Sequence, residues 1–231
     1  MRKRLFFAAL VAGAFASAPG RASVTMGFEG IGTYGINSGI GVQTFYNGGT
    51  ASNGASGPNL GVSLSSNAVT LCLNTPGTVC STASRGGQGN PTSAFTGLVF
   101  LTGTQIVLND AAGFTTGMFF YYADHTTPGF VSIFDGLNGS GNLLATLALG
   151  VNASGCGAPY NAAYCPFGLA NLPFAGTAHS VVIGGPANHL VLDDITLGAV
   201  ALPEPMTWAM MLLGFGACGM ALRRRRRPAV A

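Results

Sequence analysis

An all-β fold, an antiparallel two-sheet sandwich of jelly-roll type, is the class this sequence predicts. Three observations lead there. Between Ser23 and Gly198 the chain is dense in Gly, Asn, Ser and Thr, with short apolar or alternating runs between these punctuators. No stretch keeps the 3.6-residue period of a helix, so nothing is available to cross between parallel neighbours. The dipeptides Asn47-Gly48, Asn53-Gly54, Asp135-Gly136 and Asn138-Gly139 fall between runs and suit tight turns that need positive φ.

The expected strands follow in chain order. Val24–Glu29 and Val42–Tyr46 alternate, Leu60–Ser65 and Ala68–Leu73 flank a polar turn, and Phe95–Thr102 is almost continuously apolar. Gln105–Asn109, Gly117–Asp124, Phe130–Asp135 and Leu143–Leu149 come next, then Ser180–Ile183 and Leu190–Leu197. Phe119, Phe120, Tyr121, Tyr122, Phe130 and Phe134 give the middle of the chain enough core-forming surface to exclude a disordered stalk. Ser84–Ser93 reads as an exposed loop.

The two ends have a different composition. Residues 1–22 read as a secretory signal peptide, with basic Arg2, Lys3 and Arg4, an apolar run from Leu5 to Ala16, and small Gly20 and Ala22 at the cleavage position. The apolar run falls short of the roughly 20 residues that cross a bilayer as a helix, so export is expected rather than anchoring. The sandwich is expected over 23–198, a linker over 199–206, a transmembrane helix over 207–222, and a basic cytoplasmic tail over 223–231. That helix would span about 24 Å, with Trp208 at the outer interface and Arg223, Arg224, Arg225, Arg226 and Arg227 held in the cytoplasm by the positive-inside rule.

Charge and cysteine placement agree with this division. The formal net charge is +3, yet between Ser23 and Ala199 the only basic residue is Arg85, against Glu29, Asp110, Asp124, Asp135, Asp193 and Asp194. A domain without clustered cations has no electrostatic footprint for nucleic acid, which is excluded as a partner. Cys72 and Cys80 bracket one Gly/Pro-containing segment, Cys156 and Cys165 another, and Cys218 stands in the tail. Two local disulfides are the simplest of three pairings in an oxidising compartment, and the spacing does not suit zinc.

Pro203-Glu204-Pro205, then Trp208-Ala209, then an apolar segment containing Gly214-Phe215-Gly216, then five arginines form one series. This tail resembles the PEP-CTERM sorting domain in its Trp-Ala variant. The resemblance implies recognition by exosortase, a multi-pass membrane protease-transpeptidase. It also implies an inner-membrane precursor, removal of the tail, and passage of the domain to the cell surface or to extracellular polysaccharide. Two prolines would keep Glu204 extended, the form in which proteases take the segment they cut. Phe45-Tyr46-Asn47-Gly48-Gly49, Gly113-Phe114 and Phe134-Asp135-Gly136-Leu137 are similar to segments of other ectodomains bearing this tail.

Phe28-Glu29 near the start and Asp193-Asp194-Ile195 near the end of the domain form a second constellation. In jelly-roll sugar-binding and adhesion modules, elements similar to these meet around a structural calcium, which implies Glu29, Asp193 and Asp194 as candidate metal ligands. Alternation along Val191-Asp193-Ile195-Leu197 places Asp193 on the apolar face, which makes it the stronger ligand candidate; solvated acids at strand ends are the competing reading. Gly30-Ile31-Gly32-Thr33-Tyr34-Gly35 fits a dinucleotide-binding pattern, but no helix can open at Ile36-Asn37-Ser38-Gly39, so the match is chance among 36 glycines.

Catalytic signals are thin. His125, His179 and His189 are scattered, no Gly-x-Ser-x-Gly elbow is present, and Asp124-His125 is expected in a loop rather than a triad. The expectation is a non-enzymatic, exported surface or matrix protein associated with exopolysaccharide, binding sugars through Tyr122, Tyr160 or Tyr164. A secreted polysaccharide hydrolase using two of Glu29, Asp124, Asp135 and Asp193, or a retained membrane-anchored periplasmic protein, is the alternative.

Overall fold

Alternating and apolar runs bounded by turn residues bury themselves by pairing edge to edge and stacking face to face, and the chain does both. The computed structural model describes residues 22–32, 39–73, 89–93, 96–158, 164–199 and 215. Two antiparallel sheets pack as a sandwich. The six-stranded sheet contains β1 (Val24–Met26), β3 (Ala68–Cys72), β4 (Thr96–Phe100), β6 (Gly117–Asp124), β9 (Gly168–Pro173) and β11 (Leu190–Leu197). The five-stranded sheet contains β2 (Val62–Leu64), β5 (Gln105–Phe114), β7 (Gly129–Phe134), β8 (Leu143–Leu149) and β10 (Ala178–Gly184).

Strand order is β3-β4-β11-β6-β9 in one sheet and β2-β5-β10-β7-β8 in the other. The main core lies between them, with Phe28, Phe100, Phe120, Met118, Ile106, Leu108, Ile133 and Leu192 fully buried. A second, smaller cluster of Leu71, Leu73, Val99, Ala123, Ala153, Tyr164 and Val191 packs apart from it.

β1 and β4 share one flank of β11, end to end. Met26 stands opposite Ile195 and Leu98 opposite Leu192, so β1 finishes where β4 begins, beside Asp193 and Asp194. The register of β11 against β6 shifts between Asp193 and Thr196, and Asp194 takes a left-handed φ of 48°. This bulge reverses the parity of the strand. Leu190 and Leu192 before it, and Ile195 and Leu197 after it, all join the main core, whereas Val191 belongs to the smaller cluster.

Two strand expectations are corrected. Val42–Tyr46 is a series of turns, because Gln43 adopts φ 49° and the chain folds so that Val42, Phe45 and Tyr46 are all buried. Gly168–Pro173 is a strand that its Gly, Asn and Pro content had disguised; only Ala170 and Leu172 face inward. Cys156 and Cys165 are bonded, with Cα atoms 4.9 Å apart, closing a short loop whose chain-entropy contribution is about 2–3 kcal/mol. Cys72 is also disulfide-bonded. Cys80, Cys218, the segment 1–21 and the tail residues Pro203, Glu204, Pro205, Trp208, Ala209 and Arg223–Arg227 lie outside the described residues. Phe215 is helical and 72 % exposed, and among the described residues no helix is long and apolar enough to cross a membrane.

Candidate functional site

The interruption between β1 and β4 brings the expected acidic residues to one junction. Glu29 follows β1 in a turn and accepts hydrogen bonds from the Thr96 N–H (2.9 Å) and Thr96 Oγ1 (3.4 Å) at the start of β4. Asp193 is fully buried. Its Oδ2 accepts from the Ser93 N–H (2.9 Å) and Thr92 Oγ1 (3.1 Å), and its Oδ1 from Ser93 Oγ (3.1 Å) and the Asp194 N–H (2.8 Å). Residues 92–93 are thus bound to a buried carboxylate, and the expected exposed loop is at this end a structural one. A Cβ on Gly27 would lie 3.3 Å from Asp194 Oδ1, so the small residue leaves room for that carboxylate.

Burial pushes the Asp193 carboxyl up to about 6, with Asp194 adding to the rise and the hydrogen bonds from Ser93, Asp194 and Thr92 opposing it. Tyr46 completes the junction. Its hydroxyl accepts the Phe28 N–H (2.7 Å) and its ring meets Phe28 edge-on at 5.8 Å. Burial, with the nearby charges of Glu29, Asp193 and Asp194, holds the phenol above its usual range. Glu29, Asp193 and Asp194 therefore all lie near one hydroxyl. Among the described residues, however, no group of three or more His, Cys, Asp or Glu is arranged to hold a metal ion. Asp193, expected on the Ile195 face, is moved off it by the bulge at Asp194 and is satisfied by protein donors.

A second polar cluster lies at the opposite end of β11, and residue spacing did not reveal it. Asp124, at the end of β6, is fully buried, and its Oδ2 accepts the Gly129 N–H at 3.0 Å. Its Oδ1 has no hydrogen-bond partner. Burial raises its pKa, opposed by the backbone amides of Gly129 and Thr126 and by His125 and His189. His125 does not bond Asp124 as a triad would. Its Nε2 is 3.2 Å from Asn188 O, its ring stacks on His189 at 4.9 Å, and Thr126 Oγ1 contacts His189 Nδ1. Near-parallel imidazoles point their lone pairs along separate planes, which does not suit a shared metal ion.

The tyrosines proposed for sugar stacking are placed otherwise. Tyr164 is buried, its hydroxyl donating to Asn188 O at 2.6 Å, and Tyr122 is half-buried against the core; Tyr160 lies outside the described residues. Within the sandwich, Phe130 is an exposed aromatic, on the outer face of the five-stranded sheet and 39 % exposed. It stands opposite Gly184, where a Cβ would meet the ring at 2.3 Å, so the ring lies on bare backbone. Its neighbours on that face, read from the register, are Gln105, Val107, Val182, Ser132, Thr146 and Ala148, none of them charged. The loop 136–139 covers the next row, where the Gly139 N–H donates to Ser180 Oγ (2.9 Å) and Asn109 Nδ2 to Asn138 Oδ1 (2.8 Å).

The chain matches no protein-family model, and comparison with curated proteins and with solved structures gives no match either.

Proposed function

We propose that this chain is an exported surface or extracellular-matrix protein, a jelly-roll-like sandwich delivered by a PEP-CTERM-like tail and associated with exopolysaccharide without catalysing its cleavage. The observation that carries the reading is the series Pro203-Glu204-Pro205, Trp208-Ala209, apolar segment and Arg223–Arg227, preceded by a stapled, nearly cation-free sandwich. A signal peptide over 1–22 and a membrane helix over 207–222 belong to the same reading, with an exosortase-type protease as processing partner. Replacing Pro203, Glu204 and Pro205 together by alanine is expected to leave the tail attached. C-terminal mass spectrometry of the exported protein checks this, and a tail still removed from the triple variant would rule out the motif as the recognition element.

Sugar binding, the finer part of the proposal, rests on the uncharged outer face around Phe130. An exposed ring held flat on a strand offers the apolar platform that a pyranose face stacks on, while Ser132, Thr146 and Gln105 supply hydrogen-bonding groups beside it. Phe130→Ala is expected to weaken retention by the host's extracellular polysaccharide about tenfold in affinity electrophoresis, as truncation of a central aromatic contact commonly does. Unchanged mobility would remove this face from the reading. The non-enzymatic part is supported by the state of the four acids available to a hydrolase. Asp124 and Asp193 are fully buried, Glu29 is bound to Thr96, and Asp135 accepts from the Asn142 N–H (2.6 Å) and Nδ2 (2.8 Å) in its hairpin.

A further inference from the structure

Across the outer face of the five-stranded sheet, Gln105, Gly184 and Phe130 share one row, and Val182, Ser132 and Thr146 share the next. The Phe130 ring, lying on Gly184, thus has an amide at one side of its row and two hydroxyls in the row beside it. The protons of those hydroxyls are already committed. Thr146 Oγ1 donates to Val131 O (3.2 Å), so of the two oxygens 3.0 Å apart it is Ser132 Oγ that donates to Thr146 Oγ1. What the pair offers a ligand is lone pairs, and only a group with a proton to give can use them.

The charges around this face are all of one sign. Neither row has an ionisable side chain, and the described residues contain no lysine or arginine; Arg85 lies outside them. A carboxyl stands directly behind the strand that carries the ring. Asp124 Oδ2 accepts the Gly129 N–H (3.0 Å), and a Cβ on Gly129, pointing to the core, would lie 3.5 Å from the same oxygen. Glu29, Asp110, Asp135, Asp193 and Asp194 bring the carboxyls of the sandwich to six.

We infer that the Phe130 face selects neutral, hydroxyl-rich glycan chains and rejects acidic ones. Resting on the sugar-binding reading of this face, the selection adds the charge of the ligand to it. An uncharged pyranose lays its C–H surface on the ring and donates its hydroxyl protons to Ser132 and Thr146. A uronate or sulfate ester in the same place loses water with no cation to pair it, which is costly for any ion. Its oxygens carry no proton for the two hydroxyls, so lone pairs meet lone pairs. The six carboxyls add a repulsion that turns acidic polymers away, as like charges do at selective interfaces.

Affinity electrophoresis of the full chain in mild non-ionic detergent tests this with polymers that share a backbone and differ in charge. Hydroxyethyl cellulose is set against carboxymethyl cellulose, and dextran against dextran sulfate. The readout is the part of the retention that Phe130→Ala removes, which sets aside any pull of Arg223–Arg227 on a polyanion. By that measure a neutral polymer is expected to bind about tenfold or more tightly than its acidic partner. The gap narrows with salt, because the screening length falls from about 30 Å at 0.01 M to about 3 Å at 1 M. Thr146→Lys supplies the missing cation beside the ring and is expected to create salt-sensitive retention by the acidic polymer, whereas Thr102→Lys, in an exposed loop, does not. That gain is read without relying on Phe130→Ala to fold. Equal Phe130-dependent retention by both members of a pair, or equal gains from the two lysines, would overturn the charge selection and leave the sugar-binding reading intact. A chain that retains neither neutral polymer overturns the selection too, and the host-polysaccharide measurement then decides the sugar-binding reading separately.

Discussion

Phe28→Ala is expected to lower unfolding stability by about 4 kcal/mol, within the range for removing a fully buried aromatic ring. The ring is wholly inaccessible, meets Tyr46 edge-on, and lies where the end of β1 turns away from β11. Phe28 also adopts φ 61°, a left-handed conformation that costs a bulky residue about 1 kcal/mol or more. Glycine carries no such cost, so Phe28→Gly is expected to be no less stable than Phe28→Ala. At an ordinary φ it would be worse by about 1 kcal/mol. Urea unfolding of the two variants side by side measures the difference. A glycine variant clearly weaker than the alanine one would show that the backbone there is unstrained.

Asp193→Asn is expected to remove most of a pH dependence that the unsubstituted protein shows between pH 4 and 6. The carboxyl titrates near 3.8 in the unfolded chain and near 6 in the folded one, chiefly because burial disfavours its charge. The folded state therefore binds the proton more tightly. This contribution to stability is fully present below pH 4 and is lost as pH rises through 6, about 3 kcal/mol in all. Asparagine has no charge to desolvate, so its unfolding free energy should change much less over the same interval. Asp124, shifted in the same direction, keeps a residual slope in both proteins. Repeating the melts with calcium and with chelator is expected to leave the midpoint unmoved, since Thr92, Ser93 and the Asp194 N–H already satisfy Asp193. A calcium-dependent rise would assign Glu29, Asp193 and Asp194 to an ion.

The long central strands were legible because their two neighbours and their alternation point the same way. Gly117–Asp124 and Leu190–Leu197 have the expected bounds, and so does the edge strand Leu143–Leu149, whose run of Leu, Ala and Thr is unbroken by turn residues. At two other sheet edges composition misleads. β9 is an edge strand whose outward positions are free to carry Leu169, Asn171 and Pro173, and Val42–Tyr46 covers edges by turning, so its apolar residues serve burial without a ladder. The convergence of Glu29 with Asp193 and Asp194 was an expectation carried by the resemblance to jelly-roll modules and not by any period in the chain; the pairing of β1 with β11 is what brings the three near one another. The parity break at Asp194 was not legible, because a left-handed aspartate has no period that reveals it. The stacked His125 and His189 were equally hidden, being 64 positions apart in sequence and joined only by two loops at one end of the sheet. Phe130 escaped notice because it reads as core, and only its position opposite Gly184 on an outer face leaves it in solvent.

Val24 stands opposite Leu197, so the chain enters and leaves the sandwich at the same spot. A leash on either end, or on both, pulls on one pole only, and the body swings from that point like a flag from its halyard. The far pole lies about 23 Å away along β11 and bears His125, His189 and the loops around them. Were a surface to hold this protein by its ends, that histidine-bearing tip would reach outward first.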